Sequence, residues 1–153
     1  MRSMAALLVA TFILLTSFGA RAQAPAAQAP GEPKTTWFFY TVKWGFQDEF
    51  LDLFQRNHYP VLKAQQKAGR YVSVRTYVPE FHGDGRADWT FAVELVEAAN
   101  PPSSPTTEEI LAKLYPDRAK FNREEQRRFE ILVAHWDVPL NHLDLDKRQP
   151  SAK

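Results

Sequence analysis

The sequence predicts an α+β domain in which helices cover a four-stranded antiparallel sheet. Segments with alternating apolar residues and segments with apolar residues at three- and four-residue steps follow the order strand, helix, strand, strand, helix, strand. The 11 Phe, 5 Tyr and 4 Trp supply apolar area for a core, and the chain has no cysteine. We therefore expect a fold held by packing, without thiol catalysis, cysteine-bound zinc or iron–sulfur clusters.

The first residues have the pattern of a secretory signal peptide. Arg2 gives a short positive region, residues 5–15 are almost wholly apolar, and Ala20-Arg21-Ala22 matches a small-residue cleavage site. The apolar run is too short to span a bilayer comfortably. We expect cleavage after Ala22 and an exported protein, periplasmic or secreted, with an uncleaved anchor as the alternative.

The remaining chain divides into a linker, one domain and a tail. Residues 23–35 are rich in Ala, Pro and Gln and predict a flexible linker, residues 36–140 the folded domain, and residues 141–153 a polar tail. Removing residues 1–22 leaves 17 Lys and Arg against 18 Asp and Glu, because that segment holds two arginines and no acids. The near-neutral charge predicts no nucleic-acid partner, and no membrane contact after signal cleavage.

The first strand and the first helix carry the most informative pattern. Residues 36–44 are aromatic or β-branched on both faces and predict a central strand. Residues 46–68 predict a helix with Asn57 and His58 on its buried stripe, and Pro60 cannot donate to a preceding carbonyl. The apolar positions of that stripe are Phe46, Phe50, Leu53, Phe54, Val61 and Leu62.

The rest of the chain predicts a hairpin, a second helical region and a last strand. Residues 70–78 and 87–96 alternate as two strands joined by a loop with two glycines. Thr106 with Glu109 forms the pattern of a capping box, and the helix breaks near Pro116, where Asp117 can cap a new start. Residues 132–139 predict the last strand, and the charged run before it predicts a solvated helix face.

This order is the split β-α-β pattern of ferredoxin-like domains, in which helices cover one sheet face and leave the other bare. Residues 36–140 resemble the dimeric α/β-barrel superfamily, including its antibiotic-biosynthesis-monooxygenase-like, EthD-like and NIPSNAP-like domains. The resemblance rests on element order, on length, and on His58-Tyr59-Pro60 in the helix after an aromatic strand. It implies a homodimer whose sheets meet face to face, and it assigns no subfamily.

The first candidate pocket lies between the sheet and the helices of one subunit, where the resemblance implies a small hydrophobic or aromatic ligand. Asn57 and His58 would reach in from the helix, with His58 as a general base and Asn57 orienting the ligand. The walls would be Tyr40, Trp44, Trp89, Phe91 and Trp136. This site predicts ligand binding and, with His58 as base, a cofactor-independent oxygenation or isomerisation.

The alternative is a non-enzymatic binding or interaction module of the cell envelope. A single His on an apolar helix face is more often a core residue satisfied by one hydrogen bond, here to the carbonyl that Pro60 leaves free. Several aromatic residues on one sheet face are likewise more often core than ligand site. The sequence alone leaves both readings open.

The second candidate pocket is the bare sheet face, which a partner subunit would cover. Arg75 and Glu94 should meet across the hairpin, His135 and Asp137 share one face of the last strand, and Lys43 could join them. Tyr77 is also expected on this face. Charges in such a covered space must be paired, so an ion-paired dimer interface is the plainer interpretation.

The motifs that could hold a metal or haem are incomplete, and no cofactor is predicted. His82-Gly-Asp84, His135-x-Asp137 and the tail motif at 142–146 each offer a partial ligand set. Haem-degrading relatives of the fold would call for an Asn on the first strand and a His on the second helix. This sequence has neither, although Trp89 matches their tryptophan, so only His58 stays open as an axial ligand.

Overall fold

The computed structural model describes residues 31–80 and 89–147. The predicted signal peptide, most of the predicted linker and the His82-Gly-Asp84 motif therefore lie outside the described residues. The elements in chain order are β1 Lys34–Val42, α1 Gln47–Leu53, a π-helical turn Phe54–His58, α2 Tyr59–Lys67, β2 Tyr71–Tyr77, β3 Phe91–Glu97, α3 Thr107–Leu114, α4 Arg118–Glu130 and β4 Leu132–Leu140.

The four strands form one sheet in the order β2-β3-β1-β4, and every neighbouring pair is antiparallel. This is the ferredoxin-like arrangement that the sequence predicts. Tyr40 lies opposite Phe91 on one side and opposite His135 on the other. Because directly opposed residues point to the same face, these three side chains share the face on which the helices pack.

The core lies between this sheet face and the first helical segment. Phe50 is fully buried, Phe54 and Phe91 are nearly so, and their rings meet Tyr40 at centroid distances of 5.5–6.1 Å. Ile131, at the end of α4, closes the same cluster. Each such buried side chain contributes on the order of 1.5–3 kcal/mol, so aromatic packing stabilises the cysteine-free domain.

The first helix is interrupted where the sequence places its polar pair and Pro60. The Tyr59 amide donates to the Phe54 carbonyl, five residues back, which makes one π-turn. Tyr115 reaches across from the end of α3, and its hydroxyl donates to the Arg56 carbonyl at 3.0 Å and to the Asn57 carbonyl at 2.7 Å. The carbonyl that Pro60 frees is thus satisfied by Tyr115, and not by His58 as the sequence suggested.

The caps of the second helical region are confirmed. The Thr106 hydroxyl accepts from the Glu109 amide at 3.2 Å, and the Glu109 carboxylate accepts from the Thr106 amide at 2.7 Å. The Asp117 carboxylate accepts from the Lys120 amide at 2.9 Å and starts α4. Such caps satisfy amides that the first helical turn leaves without partners.

The facing of β4 corrects a prediction. His135 and Asp137 lie on the helix-covered face, opposite Tyr40 and Phe38, whereas Trp136 lies opposite Phe39 on the bare face. The alternation of residues along β4 was predicted correctly, but its two sets of residues were assigned to the wrong sheet faces. The polar set lies on the helix-covered face because β4 is an edge strand. Its aromatic residue stacks on Phe39 at 5.4 Å instead.

Candidate functional site

A cavity of about 420 Å³ lies where β1 ends and α1 begins. It is bounded by the start of the helix on one side and by the adjacent ends of β2 and β3 on the other. Its main walls are Val42, Trp44, Gln47, Leu51, Val78 and Trp89. The volume is that of an ordinary small-molecule site, and most of the wall is apolar.

Local backbone features build this cavity. Gly45 has φ +80°, a conformation that glycine adopts without strain, and it turns the chain from β1 into α1. Thr90 ties the start of β3 to β1, because its hydroxyl accepts from the Val42 amide at 2.9 Å and its own amide donates to the Tyr40 carbonyl at 2.8 Å. These bonds fix the backbone next to Trp89, one of the two indoles of the wall.

Gln47 is the distinctive polar group of the cavity wall. Its Nε2 donates to the Thr90 carbonyl at 3.1 Å, which fixes the orientation of the amide because a carbonyl can only accept. Its Oε1 is buried and has no hydrogen-bond partner among the described residues. A buried acceptor without a partner costs about 1–3 kcal/mol, a cost that a donor group on a ligand would recover.

A second polar cluster lies between α4, the π-turn and β4. His58 Nδ1 lies 3.6 Å from Glu125 Oε2, and Glu125 accepts two hydrogen bonds from Arg128, at 3.0 and 2.7 Å. Burial alone would raise the pKa of Glu125, but the nearby His58 and the hydrogen bonds from Arg128 outweigh it and lower the pKa to about 2. Glu125 is therefore an ionised carboxylate that is hydrogen-bonded to Arg128 and lies beside His58.

Arg128 is the most deeply buried charged residue of the described chain, with 1% of its surface exposed. Its guanidinium lies 4.5 Å from the ring centroid of Phe129 and 5.7 Å from that of Phe54. Nη1 is buried without a hydrogen-bond partner in the described residues. The sequence predicted a solvated face here, because Arg128 stands in a run of charged residues.

His135 and Tyr40 complete the cluster on the sheet side. Their rings stack with centroids 4.4 Å apart, and His135 Nε2 lies 3.3 Å from Asp137 Oδ1. Burial lowers the pKa of His135, and Asp137 opposes that shift only in part. Burial raises the pKa of Tyr40 to about 12, so its phenol stays protonated at neutral pH.

The predicted sheet–helix pocket is not assembled as one site. Asn57 is buried, but its amide donates to Glu124 of α4 at 2.9 Å and so holds the π-turn on α4. His58 contacts Glu125 and the Phe54 ring, and it is absent from the walls of the described cavity. Both side chains were expected to face the strands, but they contact carboxylates of α4 instead.

The predicted aromatic walls separate into three groups. Tyr40 and Phe91 face the helices as predicted, but inside the packed core. Trp136 belongs to the bare face. Trp44 follows the end of β1 and is 88% exposed, and together with Trp89 it borders the cavity of about 420 Å³.

The bare sheet face carries the predicted hairpin charges. Arg75 Nη1 lies 3.6 Å from Glu94 Oε2, and the Tyr77 hydroxyl donates to the same oxygen at 2.6 Å. His135 and Asp137 do not join them, since they lie on the other face. Lys43 is also elsewhere, because its Nζ donates to the Glu130 carbonyl at the end of α4.

Sequence reasoning missed Gln47, Leu51 and Val78 in the cavity, and Glu125 and Arg128 in the polar cluster. Glu125 and Arg128 are three residues apart on one helix, a spacing that brings side chains together. Nothing in the local sequence marks them as buried, because burial depends on where α4 packs.

No group of three or more metal-ligating side chains occurs within residues 31–80 and 89–147. Over the same residues, no helix has the length and apolar character needed to cross a bilayer.

The chain has similarity to solved structures but to no family model. No family model matches the chain, and a search of curated proteins found no significant match. Among solved structures, the chain is similar to a NIPSNAP family protein from Agrobacterium tumefaciens, with 16% identity over 75% of this chain and 90% of that one and a TM-score of 0.44.

The chain is also similar to two other solved structures. A dimeric ferredoxin-like protein from an uncultured marine organism shares 8% identity over 78% of this chain and 94% of that one, with a TM-score of 0.46. The monooxygenase ActVA-Orf6 of Streptomyces coelicolor, solved with nanaomycin D, shares 12% identity over 80% and 95%, with a TM-score of 0.37. None of these similarities assigns the chain to a subfamily.

Proposed function

We propose that this protein binds a small, largely apolar molecule in the cavity at the end of β1. The observation that carries the proposal is the pairing of two indole walls, Trp44 and Trp89, with the unpartnered acceptor Gln47 Oε1. Flat apolar groups stack on indole faces, and the buried acceptor calls for a hydrogen-bond donor. The ligand class is thus a ring compound that carries a hydroxyl or N–H group.

The test compares a ligand that can donate with one that cannot. Binding of 4-propylphenol and 4-propylanisole is measured by calorimetry, since the two differ in the phenolic donor and its methyl cap. Wild-type protein should prefer the phenol by about three- to tenfold, the value of one hydrogen bond. Gln47→Leu should lose that preference and still bind the anisole.

A matched control is Gln126→Leu, which removes a glutamine amide from the exposed side of α4. This variant should keep the preference for the phenol. Absence of binding of either compound to the wild-type protein would contradict the proposed site.

A second candidate function is catalysis, and one observation favours it. A carboxylate that holds an imidazole through Nδ1 is the arrangement that orients a general base, and Glu125 stands in that relation to His58. A cofactor-independent oxygenation or isomerisation with His58 as base is the reaction that the sequence suggested. Turnover that survives His58→Ala unchanged would contradict it, and binding without turnover is the non-enzymatic alternative.

We also propose that two copies pair through their bare sheet faces. Trp37, Phe39 and Trp136 stack on that face, and no described helix covers it. Several of the similar structures are described as dimeric. We propose in addition that the mature protein is exported, because the sequence predicts a signal peptide cleaved after Ala22. N-terminal sequencing of the mature protein should then give Gln23 as the first residue.

A further inference from the structure

A second cavity, of about 340 Å³, follows the first along the same helix. Phe54, Gln55 and Tyr59 line it from the helix, and Thr76 and Phe91 line it from the sheet. Leu51 borders both cavities. The two spaces are thus neighbours on either side of one leucine side chain.

Both walls continue from the first cavity into the second. On the helix, Gln47, Leu51 and Gln55 follow one another at four-residue steps, each about 6 Å along the axis. Thr76 of β2 borders the second cavity, and Val78, the first residue after β2, borders the first, about 7 Å further along an extended chain. Because the steps match, the cavities lie in succession between the helix and β2.

The π-turn lines the end of the second cavity that lies farthest from the first. In a regular α-helix, residues five apart point in well-separated directions. The bond from the Tyr59 amide to the Phe54 carbonyl closes a turn over five residues, so both side chains line the same cavity. The interruption that Pro60 and Tyr115 stabilise therefore places two aromatic rings at the second cavity.

We propose that the two cavities form one elongated site, and that its ligand is a ring with a donor group and an apolar extension. This inference rests on the proposed function. The ring lies between Trp44 and Trp89 with its donor on Gln47, and the extension passes Leu51 towards Phe54 and Tyr59. The substrate class is thus an alkyl- or aryl-extended phenol or a comparable fused-ring compound.

The experiment measures how affinity depends on the length of the extension. Calorimetry with 4-ethylphenol and 4-hexylphenol on the wild-type protein should show tighter binding of the longer compound, with up to about fourfold for each methylene buried. Leu51→Trp fills the passage between the cavities. It should remove the gain of the longer phenol.

Two further variants keep the test decisive. Tyr59→Trp fills the second cavity from its other end and should also remove the gain, which covers the case in which Leu51→Trp fails to fold. Leu114→Trp makes the same change on α3, at a partly exposed position outside both cavities, and should keep the gain.

The possible failures are distinguishable. If 4-ethylphenol binds but the longer chain adds nothing, or if the gain persists in both filled variants, the elongated site is wrong and the proposed function stands. If neither phenol binds to the wild-type protein, the proposed function itself is contradicted, and the extension with it.

Discussion

Arg128 shows how a single buried charge organises the interior of this domain. Its two hydrogen bonds to Glu125 and the aromatic rings around it compensate for the loss of water. Removing one partner of a buried ion pair leaves the other charge uncompensated. The local sequence, in which Arg128 ends a run of seven consecutive polar residues from Asn122, gives no sign of this role.

We predict that Arg128→Met lowers the free energy of unfolding by about 3–5 kcal/mol, since the largely buried Glu125 loses both of its hydrogen bonds from Arg128. Urea unfolding at pH 7 measures the change. Arg123→Met, on an exposed position of the same helix, is the control and should change stability by less than about 0.5 kcal/mol. Equal effects of the two changes would contradict a structural role for the buried pair.

Glu125 should also make stability depend on pH in the acid range. Its pKa in the folded protein is about 2, against an ordinary value of 4.5. Because the folded value is lowered, the ionised carboxylate stabilises the fold above about pH 4.5, and this contribution is lost as the pH falls towards 2. The full contribution is on the order of 3 kcal/mol.

Glu125→Gln should therefore flatten the loss of unfolding free energy between pH 4.5 and pH 2, relative to the wild-type protein. Urea unfolding at several pH values measures the two curves. Glu108→Gln, at a side chain that is 74% exposed, should leave the curve close to that of wild type. Parallel curves for Glu125→Gln and wild type would show that the carboxylate contributes nothing in this range.

At the scale of elements, the π-turn depends on a contact from a distant helix. The Tyr115 hydroxyl donates to the carbonyls of Arg56 and Asn57, 59 and 58 residues away in sequence. We predict that Tyr115→Phe lowers stability by about 1–3 kcal/mol and speeds amide exchange at Tyr59. Unfolding and hydrogen exchange measure these effects, and Tyr71→Phe on β2 controls for the loss of a hydroxyl.

The elements themselves could be predicted from the sequence because each carries a local signal. The caps at Thr106 and Asp117 and the break at Pro60 depend on residues within a few positions of one another. The direction in which Asn57 and His58 point could not be predicted in this way. It depends on the carboxylates of α4, which only the tertiary fold brings to the π-turn.

Dependence on the tertiary fold also explains why some predicted wall residues border the cavity and others do not. Trp44 and Trp89 were predicted as walls of one pocket and do border one cavity. Trp136 was assigned to the wrong face, because alternation gives two faces to a strand and does not say which one meets the helices. Gln47 is the first residue of α1, and no pattern in the sequence indicates that its side chain lines a cavity.

At the scale of the whole molecule, the bare sheet face is the surface through which we expect two copies to pair. We predict that Trp136→Glu converts a dimer into a monomer, because it places a charge among stacked aromatic rings. Light scattering after size-exclusion chromatography measures the mass. Val133→Glu, on an exposed position of the same strand, should leave the dimer intact. A wild-type monomer would contradict the proposed pairing.

The positions of the four tryptophans have an optical consequence. Trp44 and Trp89 border the cavity, whereas Trp37 and Trp136 belong to the stack on the bare face. Indole emission shifts to shorter wavelength when water is displaced from the ring. Occupation of the cavity should therefore change the fluorescence of Trp44, and pairing of two copies should change that of Trp136. A variant that retains Trp44 alone would report the first event and a variant that retains Trp136 alone the second, without an added dye.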